Sequence, residues 1–572
     1  MEVRKMERCF ETLASLCLQQ VSKSVSDVSY CRLEEIAELP THLLVDLAPL
    51  LSAENLDVLH PIFLRKGVSV RHHWQKLNRD VFKRDNWAQQ CAFHDPSFAQ
   101  EDWRQIFLDN TCQQKLKAIE HCKPEELQQQ HDIQSLKVQS ILHNPFCNPS
   151  DDVISRTGKP LEDYFPSSLC LESHLLPYIQ ANPVSMYSLQ RNLKELVLSN
   201  YLPKYKQVLK TFLERLIHGG VLRKLTLKHP KCLTPGELFS ILDVCAGRRF
   251  EDEQDSIKTR RSCKKKTNIE ASSCCNGTKQ GCLKNHDTGR IGSLQRSKLE
   301  TLELQSTDFE FLSDAESVNG SNGQLLLHEI ADGFSQLRTI KLSLDKLRSL
   351  LCLERALLHP NSNITHLALR SCQLTTAMLD FFFLHVKDSP SLQELDVSLN
   401  TYTPGRTGQL SGLVQLLQSN KLTKLDLVGC HFNLQGWIHA NDFITALRNN
   451  LSLRQLGLAL NALRDRCLQL FAEAFVCRSP DTPESGIPTP RLCFDISNNS
   501  QVTYEGLEAF FRTLHHASKT PGLGVNPPCH LITSMAKYHH LIVAKALRMT
   551  ITEVVNIQLL HFGEGGQMQR PK

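Results

Sequence analysis

The sequence lacks the features that would mark a membrane, secreted or catalytic protein. No stretch approaches 18 uninterrupted apolar residues, so no membrane-crossing helix is predicted. The N-terminal MEVRKMERCF carries charges where a signal peptide needs an apolar core. Neither sign of charge dominates. A net charge of +5 over 572 residues predicts neither nucleic acid nor a membrane surface as partner of the whole molecule. Aromatics make up 7% of the chain, and the 41% hydrophobic and 22% charged fractions are those of a soluble globular protein. Also missing are a Gly-rich phosphate loop, a nucleophile elbow, a His-Glu-x-x-His helix and a kinase signature. The 24 histidines are scattered. Cys91/His94 and His121/Cys122 lack a second ligand pair at metal-binding spacing, and adjacent Cys274-Cys275 is not ligand spacing either. The expectation is a chain with no catalytic residues, no metal and no cofactor. The 21 cysteines are odd in number and several occupy apolar repeat positions, which predicts free thiols and a cytoplasmic or nuclear protein.

What is present is repetition. ITHLALRSCQL from Ile364, LQELDVSLN from Leu392, LTKLDLVGCHF from Leu422 and LRQLGLALNAL from Leu453 share the pattern L-x-x-L-x-L-x-x-N/C. That pattern is a leucine-rich repeat. The Leu-x-Leu core supplies a short strand with two inward side chains. The Asn or Cys that follows (Cys372, Asn400, Cys430, Asn461) turns the chain and can satisfy buried backbone groups there. Successive spacings Leu367–Leu395–Leu425–Leu456 are 28, 30 and 31 residues, long enough for a strand plus a full helix in each repeat. MLDFFFLHV and NDFITALRNN are the corresponding helices. Earlier units begin at Leu193, Leu222, Leu299 and Leu337, and a later one carries Phe494, Ile496 and Asn499. The predicted fold is α/β: a leucine-rich-repeat solenoid, a ribonuclease-inhibitor-like horseshoe with strands on the concave face, preceded by an all-helical adaptor region.

The expected organisation is residues 1–67, two apolar helices; 68–180, a helical linker domain with Trp74, Trp87, Phe93, Trp103 and Phe107 as core anchors; 181–514, repeats; and 515–572, a last repeat, cap and tail. Residues 247–298 interrupt the repeats with a polar insertion too poor in apolar side chains to form a core. Its basic cluster at 258–266 has the composition of a nuclear localisation signal.

The N-terminal helices have their own pattern. Leu13, Cys17 and Val21 lie at i, i+4 and i+8 on one helical face. Eighteen residues later LPTHLLVDLAPLL begins, with Pro40 at the start of a helix and Leu39, Leu43 and Leu47 in its apolar pattern. The first stretch resembles a BC box and the second a cullin box. The order of parts is similar to that of the elongin-BC-binding leucine-rich-repeat proteins, the MUF-type and PRAME-like substrate receptors of cullin-RING ubiquitin ligases. That resemblance implies elongin B/C bound through Leu13, Cys17 and Val21, and a cullin with its RING protein bound through Leu39, Pro40, Leu43 and Leu47. Leu-Pro followed by apolar helices also opens an F-box, which keeps a Skp-type adaptor as an alternative. So does a repeat scaffold or inhibitor with no ligase role.

On the strands, His366, Ala368 and Arg370; Glu394, Asp396 and Ser398; Lys424 and Asp426; and Gln455 and Gly457 are expected on the concave face. Their mixed charge suits a protein substrate better than a nucleic acid.

Overall fold

A computed structural model describes residues 16–22, 33–82, 102–117, 119, 128–143, 165–199, 205–228, 298–306, 331, 333–344, 347, 350–403, 411–476 and 492–519. It also describes the strand residues 529–533, 555–559, 561–562 and 568–569. Leu13, Trp87, Phe93, the two Cys/His pairs and the basic cluster 258–266 lie outside the described residues. The chain divides into two compact units, Met1–Leu196 and Val197–Lys572.

The first unit opens with helices: α1 (residues 16–22), α2 (Leu33–Ala37), α3 (Thr41–Leu47), α4 (Ala53–Arg65), α5 (Arg71–Val81), α6 (Trp103–Lys117) and α7 (Gln128–His143). α4 starts where the Ser52 side chain accepts from the Asn55 N–H, a standard N-cap. It buries Leu56, Leu59, Ile62 and Phe63 at helical spacing. Trp74 of α5 is fully buried and its ring lies 5.4 Å from that of Phe107 on α6. Trp74 and Phe107 therefore serve as the core anchors the sequence predicts. The buried Asp57 of α4 pairs with Arg104 of α6 at 2.6 Å.

A strand, β1 (Ser168–Glu172), then appears where only helix and loop are expected from the sequence. Its alternation buries Leu169 and Leu171. α6 supplies the missing partners for its backbone. Gln113 donates to the Cys170 carbonyl and accepts from the Cys170 N–H, both at 2.6 Å. Asp109 accepts from Ser167 Oγ at 2.8 Å and from the N–H groups of Ser167 and Ser168. Burial pushes the Asp109 carboxyl up to about 7, and these donors act against that rise. α8 (Leu176–Ala181) and α9 (Pro183–Asn192) follow, and the division between the units falls inside β2 (Glu195–Ser199).

The second unit is built from strands β3 (Lys224–Lys228), β4 (Thr301–Ser306), β5 (Thr339–Leu344), β6 (His366–Leu369), β7 (Glu394–Asp396), β8 (Lys424–Asp426), β9 (Gln455–Gly457), β10 (Leu492–Asp495), β11 (Cys529–Thr533) and β12 (Val555–Leu559). They lie side by side in chain order, all parallel. Helices α10 (Lys206–Gly219), α11 (Leu351–Leu358), α12 (Thr376–Val386), α13 (Gly412–Gln418), α14 (Ala440–Asn449), α15 (Asp465–Val476) and α16 (Tyr504–Lys519) fall between or beside them. The register aligns Leu367, Leu395, Leu425, Leu456 and Phe494 in one buried row. Meeting it at Phe494 is a continuous chain of rings, Phe383, Tyr402, Phe432, Phe443, Phe471, Phe494 and Phe510, with centroids 5.1 to 6.4 Å apart. Each of these is fully buried and contributes roughly 2 to 3 kcal/mol of transfer free energy. No repeat could bury its own ring alone, so neighbouring repeats stabilise one another.

Candidate protein-binding face

Three devices fix the exposed face of this sheet. The first is an asparagine ladder. Asn400 Oδ1 accepts from the N–H groups of Cys372 and Leu374 in the preceding repeat, and its Nδ2 donates to the carbonyls of Leu369 and Val397. Asn461 does the same for Cys430 and Phe432, and Asn499 for Leu463. At the alternate positions Cys372 and Cys430 give only long thiol contacts to carbonyls. Burial raises both thiols to about 11, so they are packing groups and poor nucleophiles.

The second device lies one residue earlier. Ser371, Leu399, Gly429, Leu460 and Asn498 all have φ between 52° and 65°. The N–H groups of the first four donate one repeat onward: Ser371 to the Ser398 carbonyl, Leu399 to Val428, Gly429 to Ala459 and Leu460 to Ser497. The ladder thus imposes a left-handed backbone on two leucines, at roughly 1 to 2 kcal/mol each. Both stay exposed, at 54% and 53%.

The third device is the register, which sorts the outward side chains into rows. His366, Glu394, Lys424, Gln455 and Cys493 form one row; Ala368, Asp396, Asp426, Gly457 and Asp495 form the next. His366 Nε2 meets Glu394 Oε1 at 3.0 Å, and this hydrogen bond lowers the Glu394 carboxyl against the effect of burial. Arg370 Nε pairs with Asp396, and Lys424 Nζ with Asp426 at 3.2 Å. Burial raises Asp426, Lys424 lowers it, and the Asp396 charge raises it further. Gly457 makes room for this carboxylate: a Cβ there would sit 2.4 Å from Asp426 Oδ1.

The sequence-predicted face residues are therefore brought together, with different exposures. His366, Glu394, Lys424 and Gln455 are half-buried and Arg370 is exposed. Asp396, Asp426 and Ser398 are buried. Ser398 Oγ accepts from the Val428 N–H, a structural use. Sequence reasoning missed Leu399, Leu460, Cys493 and Asp495. The L-x-x-N spacing marks the residue before each Asn, and that signal would have found the two leucines.

The N-terminal candidates separate in the same way. Cys17 is exposed and Val21 half-buried on α1, beside Leu16, which is 56% exposed. Leu39 and Leu43 are half-buried and Pro40 is exposed. Leu47 is fully buried and serves the core, because its helical face is the one that carries Leu44 inward. Ser22 Oγ donates to the Leu50 carbonyl at 2.7 Å, tying α1 to the turn after α3. Among the described residues no helix is long and apolar enough to cross a membrane, and no three metal-ligating side chains gather.

No protein-family model matches the chain. Over 205 residues, 35% of this chain, it is 30% identical to a human protein described as NACHT, LRR and PYD domains-containing protein 14. The match covers 18% of that relative's length. Among solved structures, an internalin from Listeria monocytogenes superposes with a TM-score of 0.27 at 12% identity, covering 60% of this chain and 75% of the internalin. That superposition is too loose to compare folds. The repeated motif, the parallel register and the asparagine ladder are what make this chain a leucine-rich-repeat protein.

Proposed function

We propose that this chain is a non-catalytic receptor subunit that binds a protein on the exposed face of its repeat sheet and is recruited through its N-terminal helices to an elongin-BC–cullin–RING ubiquitin ligase. The observation that carries the ligase part is the exposure of Cys17, with Leu16 beside it and Val21 half-buried, on a helix whose sequence resembles a BC box. Apolar side chains left in water on one short helix cost solvation and suit a partner's pocket. Exposed Pro40 and half-buried Leu39 and Leu43, around the start of α3, offer the matching surface for the cullin. The mechanism is proximity. A receptor that holds a substrate beside the ubiquitin-loaded enzyme raises the effective concentration of substrate lysines there and needs no catalytic group of its own. The reading places the protein in the cytoplasm or nucleus, where exposed Cys17 remains a thiol.

The test is co-purification of the full chain beside a Leu13→Ser/Cys17→Phe variant, blotted for elongins B and C, cullins and Skp. Elongin recovered with the wild type and lost with the variant supports the reading. Recovery of Skp transfers the chain to the F-box class. Recovery of neither from folded protein removes the ligase role and leaves a repeat scaffold.

A further inference from the structure

The face of β6–β10 has a chemistry of its own. Its outward residues include four carboxylates, Glu394, Asp396, Asp426 and Asp495, against two fixed cations, Arg370 and Lys424. Both cations are already paired with Asp396 and Asp426, and His366 holds Glu394, so Asp495 is the carboxylate of the face without a basic partner among the described residues. Asp495 accepts the Ser497 N–H and adds its charge to that of Asp426 around Cys493. Ser497 lies two residues on, in the turn that follows β10. Its hydroxyl is buried, with the residue 4% exposed, and finds no hydrogen-bond partner among the described residues. Such a buried, unpartnered hydroxyl is unusual and leaves this end of the row incompletely satisfied. Leu399 and Leu460 rim this row, exposed and held in place by the backbone ladder, with Gly429 between them.

We propose that this face takes an extended protein segment rich in lysine or arginine, with apolar side chains interspersed. This rests on the reading of the sheet as a substrate-binding surface and names the substrate class. Its cations pair with Asp495 and meet the surplus negative charge of the row, and its apolar side chains cover Leu399 and Leu460. The four strand spacings from β6 to β10 span about 19 Å. About six extended residues cross that distance. A nucleic acid is disfavoured, since its phosphates would meet the carboxylate row.

The test uses the full chain and two immobilised peptides of about ten residues, which exceeds the span to be crossed. Both carry leucine at every third position; one has lysine and the other glutamate elsewhere. The lysine peptide is expected to bind, more weakly as salt rises, and the glutamate peptide not at all. Asp495→Asn keeps the acceptor for Ser497 N–H and should weaken lysine-peptide binding at least about tenfold, within the range of a desolvated charge contact. Leu399→Asn/Leu460→Asn should also lose it while melting no lower, because Asn tolerates the left-handed backbone better than Leu. Binding of neither peptide, a preference for glutamate, or indifference to both variants overturns the proposal. The ligase reading is decided by elongin recovery, which involves neither peptide, so either can fail alone.

Discussion

Replacing Asn400 by alanine tests the physical account of the array most severely. The Asn400 side chain is 3% exposed and joins two repeats through bonds of 2.7 Å to the Leu369 and Val397 carbonyls and 3.0 Å to the Cys372 and Leu374 N–H groups. Alanine leaves two donors and the Leu369 carbonyl buried without partners, and leaves the Val397 carbonyl with only the Cys430 thiol. Each unpartnered group costs about 1 to 3 kcal/mol, so three set an upper range of roughly 3 to 9. Water entering the vacated space recovers part of this, and the expected loss is about 3 to 5 kcal/mol. Cys372→Ala one repeat earlier removes only thiol contacts of 3.4 and 3.5 Å and should cost about 1 kcal/mol. Repeat arrays need not unfold in one step, so hydrogen exchange resolved by segment is the right assay. The amides of Cys372 and Leu374 should lose most of their protection in Asn400→Ala and little in Cys372→Ala. Equal protection loss in the two variants, or a cost below about 1 kcal/mol for Asn400→Ala, would refute the reasoning.

Gly457→Ala puts a methyl group 2.4 Å from Asp426 Oδ1 and should displace that carboxylate from Lys424. The loss should be about 1 kcal/mol, and a double-mutant cycle with Asp426→Ala should show coupling of similar size by denaturant titration. Asp109 supplies a pH dependence. Its folded value near 7 exceeds the unfolded one, so its contribution is complete below about pH 4 and is lost as pH rises through 7. The stability of wild type relative to Asp109→Asn should therefore fall between pH 5 and pH 7.5; His60 and His143, lowered by burial, shift both proteins alike and cancel. Tyr402→Phe removes a buried hydroxyl that donates to Asp380 at 2.8 Å and also contacts Ser411 Oγ, and should cost about 1 to 2 kcal/mol in thermal unfolding.

The repeats were legible because their signal is redundant. Two leucines, a fixed spacing and a polar turn residue agree at Leu367, Leu395, Leu425 and Leu456, and the register aligns those residues. β1 was not legible. Its Leu-Cys-Leu is a single alternation with no Asn behind it, and several of its backbone groups are satisfied by side chains of a helix more than 50 residues earlier. Alternation alone named the outward residues, but it did not give their burial. Asp396 and Asp426 sink because each is held by a cation on its own or the preceding repeat, and Ser398 because it bonds the next repeat's backbone. Leu47 shows the same limit. A helical stripe reads as apolar on both sides of α3, and only packing decides that Leu44 and Leu47 turn inward while Leu39 and Leu43 do not.

The most direct test of the receptor account is a calorimetric titration of purified elongin B/C into the full chain and into Cys17→Phe. Cys17 is exposed, so phenylalanine there should leave the unfolding transition unchanged. The account predicts saturable binding to the wild type, weakened at least about 100-fold, or about 2.7 kcal/mol, by the substitution. Equal heats from the two proteins, or none from either, would contradict it.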